Sequence, residues 1–149
     1  MIRINRTNSD DPDFVKLVRE LDEYLAICDG DEHGFYDQFN KLDKIKHVVV
    51  LYAENEAVAC GAIKEYAPGV MEIKRMFVKP EARNKGYASK ILIILELWAK
   101  ELGYDRCILE TGLRQIEAIG LYSRNNYKVI KNYGPYKGMP NSKCYAKDL

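Results

Sequence analysis

Three β-rich runs, His47 to Ala53, Ala57 to Tyr66 and Val70 to Val78, are separated only by Glu54-Asn55-Glu56 and Ala67-Pro68-Gly69. Connections that short can only be hairpins, so the three runs must form an antiparallel meander. A glycine-containing loop follows Val78, and then Ala88, Ile91, Leu92, Leu95, Trp98, Ala99 and Leu102 recur at helical intervals up to Gly103. Ile93, Ile94 and Leu97 make most other faces of this helix apolar, which predicts burial on more than one side. Arg106 to Thr111 reads as the next strand. Strand, helix and strand then make a right-handed crossover, so the third and fourth runs lie parallel. A shorter helix over Gln115 to Asn125 and closing strands over Tyr127 to Tyr133 and Lys143 to Lys147 complete the chain. The expected fold is a single α+β domain. Its mixed central sheet changes from an antiparallel meander to a parallel crossover at Val70 to Val78.

Upstream of the meander, Ser9-Asp10-Asp11-Pro12 supplies acidic caps and a first-turn proline. Phe14, Leu17, Val18, Leu21, Tyr24 and Leu25 follow at helical spacing. A second short helix is expected over Gly34 to Leu42, after the acidic turn Asp29-Gly30-Asp31-Glu32. At 149 residues and 47% hydrophobic, with no repeat or long linker, the chain has the size and core of one domain. A formal charge of +1 gives no global field to hold nucleic acid or an anionic membrane, so any anion site must be local. Cys28, Cys60, Cys107 and Cys144 contain no C-x-x-C pair, which argues against a zinc cage or a redox motif and suits reduced thiols in the cytoplasm. The start of the chain does not read as a signal peptide, and the densest apolar stretch, Ile91 to Ala99, is too short to span a bilayer.

The segment from Val78 to Ser89 joins the third strand to the apolar helix. A helix start exposes unpaired N–H groups and the positive end of the macrodipole, and small residues there let a phosphate approach the backbone. Gly86 and Ala88 supply that clearance, while Lys79, Arg83, Lys85 and Lys90 add positive charge nearby. The three spaced glycines of the dinucleotide fingerprint and the Gly-Lys-Ser/Thr of the triphosphate loop are both missing.

Arg83-Asn84-Lys85-Gly86-Tyr87-Ala88 resembles the Arg/Gln-x-x-Gly-x-Gly/Ala coenzyme A loop of the GNAT family of N-acetyltransferases. Glu72 to Pro80 is similar to the family's fourth strand and following turn, and Ala118 to Tyr127 to its Leu-Tyr-x-x-x-Gly-Tyr/Phe ending. The resemblance runs from about Val48 to Tyr127 in the right order. Asn84 and Asn126 stand where the family often has glycine; asparagine is the side chain that best tolerates positive φ, so both are expected to keep the turn.

The resemblance implies acetyl-CoA as co-substrate, a small amine or peptide as acceptor, and no metal. It implies that Met76 and Val78 offer main-chain groups to the pantetheine arm and that an N–H near Phe77 faces the oxyanion. It also implies that Arg106 to Thr111 splays from Val70 to Val78, leaving a wedge for the coenzyme. The amides of Asn84, Lys85, Gly86, Tyr87 and Ala88, running on to Ser89, would take the diphosphate, with Arg83 and Lys85 as supplementary cations. Tyr122 matches the tyrosine that faces the coenzyme sulfur and is the first choice for general acid; the alternative is a core aromatic beside Ala118 and Ile119. Glu72 is the preferred base, with Glu110 a second candidate; by strand alternation either carboxylate could instead face solvent. Gln115 stands where the family often places an amide that contacts the coenzyme, or else is a polar first-turn residue. Tyr24 to Gln38 and Tyr133 to Cys144 would frame the acceptor, with Asp29, Asp31 and Glu32 as cation attractors and Tyr133, Tyr136 and Tyr145 as pocket lining. A homodimer is compatible with the family. A catalytically silent acyl-CoA-binding or sensing module is the alternative to an enzyme.

Overall fold

A computed structural model describes residues 1–30, 44–113 and 115–149, and the helix expected over Gly34 to Leu42 lies outside them. Among the described residues the elements are β1 (Ile2–Thr7), α1 (Pro12–Asp29), β2 (His47–Ala53), β3 (Glu56–Ala67), β4 (Val70–Val78), α2 (Tyr87–Glu101), β5 (Arg106–Gly112), α3 (Ile116–Arg124), β6 (Lys128–Ile130) and β7 (Ser142–Asp148). They form a seven-stranded sheet ordered β1-β2-β3-β4-β5-β7-β6, parallel only between β4 and β5.

Turn chemistry fixes the meander. Ala53 pairs with Glu56 across a two-residue turn in which Glu54 (φ 49°) and Asn55 (φ 66°) are both left-handed, as a type I′ hairpin requires. Glu56 therefore belongs to the strand rather than to the loop. Ala67 pairs with Val70 across Pro68-Gly69, where proline presets the first turn residue and Gly69 takes a φ of 78°.

Both sheet faces are covered, which explains the uninterrupted Val48-Val49-Val50-Leu51 run. Asp11 caps α1 by accepting from the N–H groups of Asp13 (2.9 Å) and Phe14 (3.4 Å). Phe14, Leu17, Val18 and Leu21 then pack on Val48, Val50, Cys60, Ala62 and Phe77. On the opposite face, Ile91, Leu92, Leu95 and Ala99 of α2 meet Val49, Leu51, Ala59, Ile63 and Ile73. Each of these large aliphatic side chains contributes about 1.5–3 kcal/mol by leaving water. Burial of α2 on more than one side is not what the fold provides: Ile93 and Leu97 are exposed, and the buried side chains Ile91, Leu92, Leu95 and Ala99 share one face.

The sequence reading missed β1, which pairs with β2 from Ile2 opposite Ala53 to Thr7 opposite Val48. Its residues are mostly exposed, so it carries no apolar signal. The strand expected over Tyr127 to Tyr133 shortens to Lys128–Ile130. The Asn132 amide then turns the chain by donating to the carbonyls of Tyr136, Met139 and Ser142 at 3.0–3.1 Å.

The register of β3 on β4 jumps from Cys60 opposite Phe77 to Ala62 opposite Lys74, so Gly61 faces the two-residue bulge Arg75-Met76. Arg75 is left-handed (φ 60°), and its carbonyl accepts a hydrogen bond from the buried Cys60 thiol at 3.3 Å. A Cβ on Gly61 would stand 2.5 Å from Met76 Sδ, 2.8 Å from Ile91 Cγ2 and 2.9 Å from Leu95 Cδ1. Only glycine fits under the bulge. Gly61→Ala is therefore expected to cost about 1–3 kcal/mol by overpacking. Thermal unfolding would register this as a midpoint lower by roughly 3–10 °C, and an unchanged midpoint would contradict the close approach.

Candidate active site

The β4–β5 ladder ends early. Val70, Met71 and Glu72 pair with Arg106, Cys107 and Ile108, and beyond them β5 continues only against β7. From Ile73 onward the inner edge of β4 has no strand partner among the described residues, and an extended ligand can add along it. A cleft of about 650 Å³ occupies the split, bordered by residues of α1, β4, the loop before α2, β5 and α3.

One end of the cleft is the start of α2. Asn84 (φ 64°) and Gly86 (φ 78°) turn the chain left-handed, and no side chain among the described residues caps the helix. Its first-turn N–H groups thus face the cleft with the helix dipole behind them, a ready site for an anion. A Cβ at Gly86 would meet nothing within 4 Å, so glycine serves the backbone angle there while the space in front stays open. Ser89 Oγ accepts from the Asn125 amide at 3.1 Å, and Asn125 also bonds the Leu121 carbonyl, tying the end of α3 to this first turn. Asn126 is left-handed at φ 70°, as expected for asparagine at both glycine positions.

Tyr122, 5% exposed, borders the cleft from α3 and packs against the rings of Tyr127 and Tyr145 at 5.8 and 6.0 Å. Burial, and then the Glu110 carboxylate, hold its phenol well above the ordinary tyrosine value, so the hydroxyl stays protonated. On the other side of the split, Glu72 accepts a 2.6 Å hydrogen bond from the Tyr133 hydroxyl and has the Lys74 ammonium at 3.7 Å. Burial and the Glu72 charge push the Tyr133 phenol upward too. Tyr133 is held by edge contacts with Tyr66 and Tyr136 at 5.0 and 5.7 Å.

The sequence profile of the Acetyltransferase (GNAT) family matches residues 12–127, which span α1 through the loop after α3. The chain belongs to this family. Its fold is the GNAT fold, and the GNAT relatives make it an acyltransferase. It is 33% identical over 137 residues to an IAA acetyltransferase of Azospirillum brasilense, covering 91% of this chain and 90% of that one. A crystal structure from Klebsiella pneumoniae, assigned as an acyl-CoA N-acyltransferase, is 28% identical with a TM-score of 0.84, covering 100% of this chain and 98% of the other. A PaiA N-acetyltransferase of Thermoplasma acidophilum in complex with coenzyme A shares the fold at 17% identity and a TM-score of 0.73, covering 100% of this chain and 99% of that one.

Within this GNAT domain, Glu72, Met76, Phe77, Val78, Arg83, Asn84, Gly86, Tyr87, Ala88, Ser89, Gln115 and Tyr122 all border the one cleft. Lys85 does not; its side chain is exposed. Arg83 borders the cleft but is engaged by the protein. Its Nε donates to the Val78 carbonyl at 3.0 Å, its guanidinium lies 3.4 Å from Glu117, and it stacks over Tyr24 and Phe77. Lys79 is likewise paired, with Glu20 and Glu56. Tyr145, expected to line an acceptor pocket, is instead a core residue packed on Tyr122, because alternation along β7 points it toward α2. Tyr136 does border the cleft. Asp31, Glu32 and His33 lie outside the described residues, and His47 packs edge-on against Trp98 at 4.8 Å.

Tyr24, which opens a segment expected to frame the acceptor, does border the cleft, whereas sequence reasoning missed Arg75, Thr111, Glu117 and Arg124 there. The bulge that turns Arg75 has no pattern of its own. Replacing Gly86 with glutamate puts bulk and negative charge before the uncapped amides. Wild type at one hundred times the coenzyme A dissociation constant should gain about 2.7 kcal/mol of stability. Gly86→Glu should show no thermal shift with coenzyme A, and a full shift would place the anion site elsewhere.

Proposed function

We propose that the protein is an acetyl-CoA-dependent N-acetyltransferase that moves the acetyl group to a primary amine by direct attack. The observation that carries this reading is the continuity of one cleft from uncapped helix amides, along an open strand edge, to a buried neutral phenol. The coenzyme diphosphate would sit on the amides of Gly86 to Ser89. Its pantetheine arm would lie along Met76 and Val78 as an added strand.

The neutral amine nitrogen attacks the thioester carbonyl and forms the C–N bond. The developing oxyanion would be met by a main-chain N–H near Phe77, in the stretch of β4 that follows the Arg75-Met76 bulge. The C–S bond then breaks as Tyr122 passes its proton to the departing thiolate and regains one from solvent, burial having made the phenol a weaker acid than it is in solution. Glu72 would take the amine proton, held toward the split by the Tyr133 hydroxyl, and Glu110 adds a second carboxylate on the same cleft. Two carboxylates and the ring of Tyr136 suit an acceptor that arrives as an ammonium ion carrying some apolar surface and gives one proton to solvent before it attacks.

Thiol release from acetyl-CoA, read with a chromogenic disulfide across polyamines, amino acids, aminoglycosides and amino-terminal peptides, tests the activity. Turnover on at least one amine is expected. Coenzyme binding with no thiol release on any acceptor would instead favour a silent binding module. On the best amine, Tyr122→Phe should lower kcat by roughly 10²-fold with coenzyme affinity nearly intact, whereas wild-type turnover would remove Tyr122 from the chemistry.

A further inference from the structure

Thr111 stands on β5 one residue beyond Glu110, where β5 no longer has β4 beside it. It is 3% exposed and borders the cleft, yet its Oγ1 has no hydrogen-bond partner among the described residues. A buried hydroxyl without a partner destabilises the fold it sits in, and most buried polar groups are satisfied. Thr111 has no obvious structural use for the oxygen. Its main chain is already paired with Lys143, and its neighbours on the same face, Leu109 and Cys107, belong to the apolar core shared with Tyr122. Valine would fill the same volume without the orphaned group.

The hydroxyl is shielded behind the wall of the cleft, and one χ1 hop exchanges a threonine's hydroxyl with its methyl group. The exchange needs no backbone movement. What a ligand lying in the split can offer such a donor is a carbonyl oxygen, and an acyl-pantetheine arm carries several: its amides and, when loaded, its thioester.

We propose that Thr111 is a coenzyme-arm contact, its hydroxyl donating to a carbonyl oxygen of the acyl-bearing arm once that arm fills the split. The inference rests on the coenzyme-site reading given above. It assigns to β5 a polar hold on the arm opposite the main chain of β4, so that the reacting end is fixed from both sides. The unsatisfied oxygen of the ligand-free protein is then part of the binding energy, because the ligand supplies the missing acceptor.

Calorimetric titration of coenzyme A and acetyl-CoA into wild type, Thr111→Val and Thr111→Ser, with thermal melts of each free protein, separates the outcomes. Thr111→Val should bind about tenfold more weakly, Thr111→Ser within about twofold of wild type, and free Thr111→Val should melt no lower than wild type. A loss confined to acetyl-CoA puts the contact on the thioester carbonyl, and an equal loss for both puts it on an arm amide. Wild-type affinity of Thr111→Val for both ligands overturns the inference. So does a serine variant as weak as the valine one, or a valine variant that melts several degrees lower. Wild-type protein that binds neither ligand overturns the coenzyme-site reading itself, whereas binding that Gly86→Glu abolishes and Thr111→Val leaves intact sinks only the role of Thr111.

Discussion

Strands β4 and β5 stay together for three residue pairs and then part, and the site exists because they do. A parallel pair that continued to Val78 would consume the main-chain groups of β4 and close the cleft. Two features keep the strands apart. The Arg75-Met76 bulge turns β4 away within its own ladder, and β5 finds a full antiparallel partner in β7, from Arg106 opposite Asp148 to Gly112 opposite Ser142. The energy of sheet pairing is thus spent on the far edge of β5, and the near edge is left to a ligand.

The same constraint explains why the helix starts matter. Helix α2 begins at the open end of the split, with its axis anchored by Ile91, Leu92, Leu95 and Ala99 against the sheet. Because the helix cannot shift, its uncapped amides are preorganised rather than recruited, which is what makes backbone dipoles effective toward charge. Gly61 joins the two halves of this arrangement. It gives the bulge its room and lets α2 approach β3 closely, so a single missing side chain serves both the strand edge and the helix start.

Much of this was legible in the residues. The hairpin turns, the crossover and the helix over Tyr87–Glu101 follow from spacing alone, and the loop from Arg83 to Ala88 lies at the cleft. Asn84 and Asn126 could be read as left-handed residues because asparagine tolerates that conformation. What stayed hidden depends on contacts between distant segments. The commitment of Arg83 to Val78 and Glu117, the hydroxyl of Tyr133 on Glu72 sixty-one residues away, and the burial of Tyr145 behind Tyr122 have no local signature. The short, mostly exposed β1 was invisible for the opposite reason: a strand held by backbone pairing at a sheet edge needs little apolar pattern.

The central claim is that two linked phosphates rest on the main chain at the start of α2. A crystal structure of the protein grown with coenzyme A measures this directly. The account predicts diphosphate oxygens within hydrogen-bond distance of the N–H groups of Gly86 to Ser89 and the arm running along β4 toward Tyr122. Coenzyme bound away from that helix start, or a split filled by the protein's own side chains while ligand lies elsewhere, would contradict it.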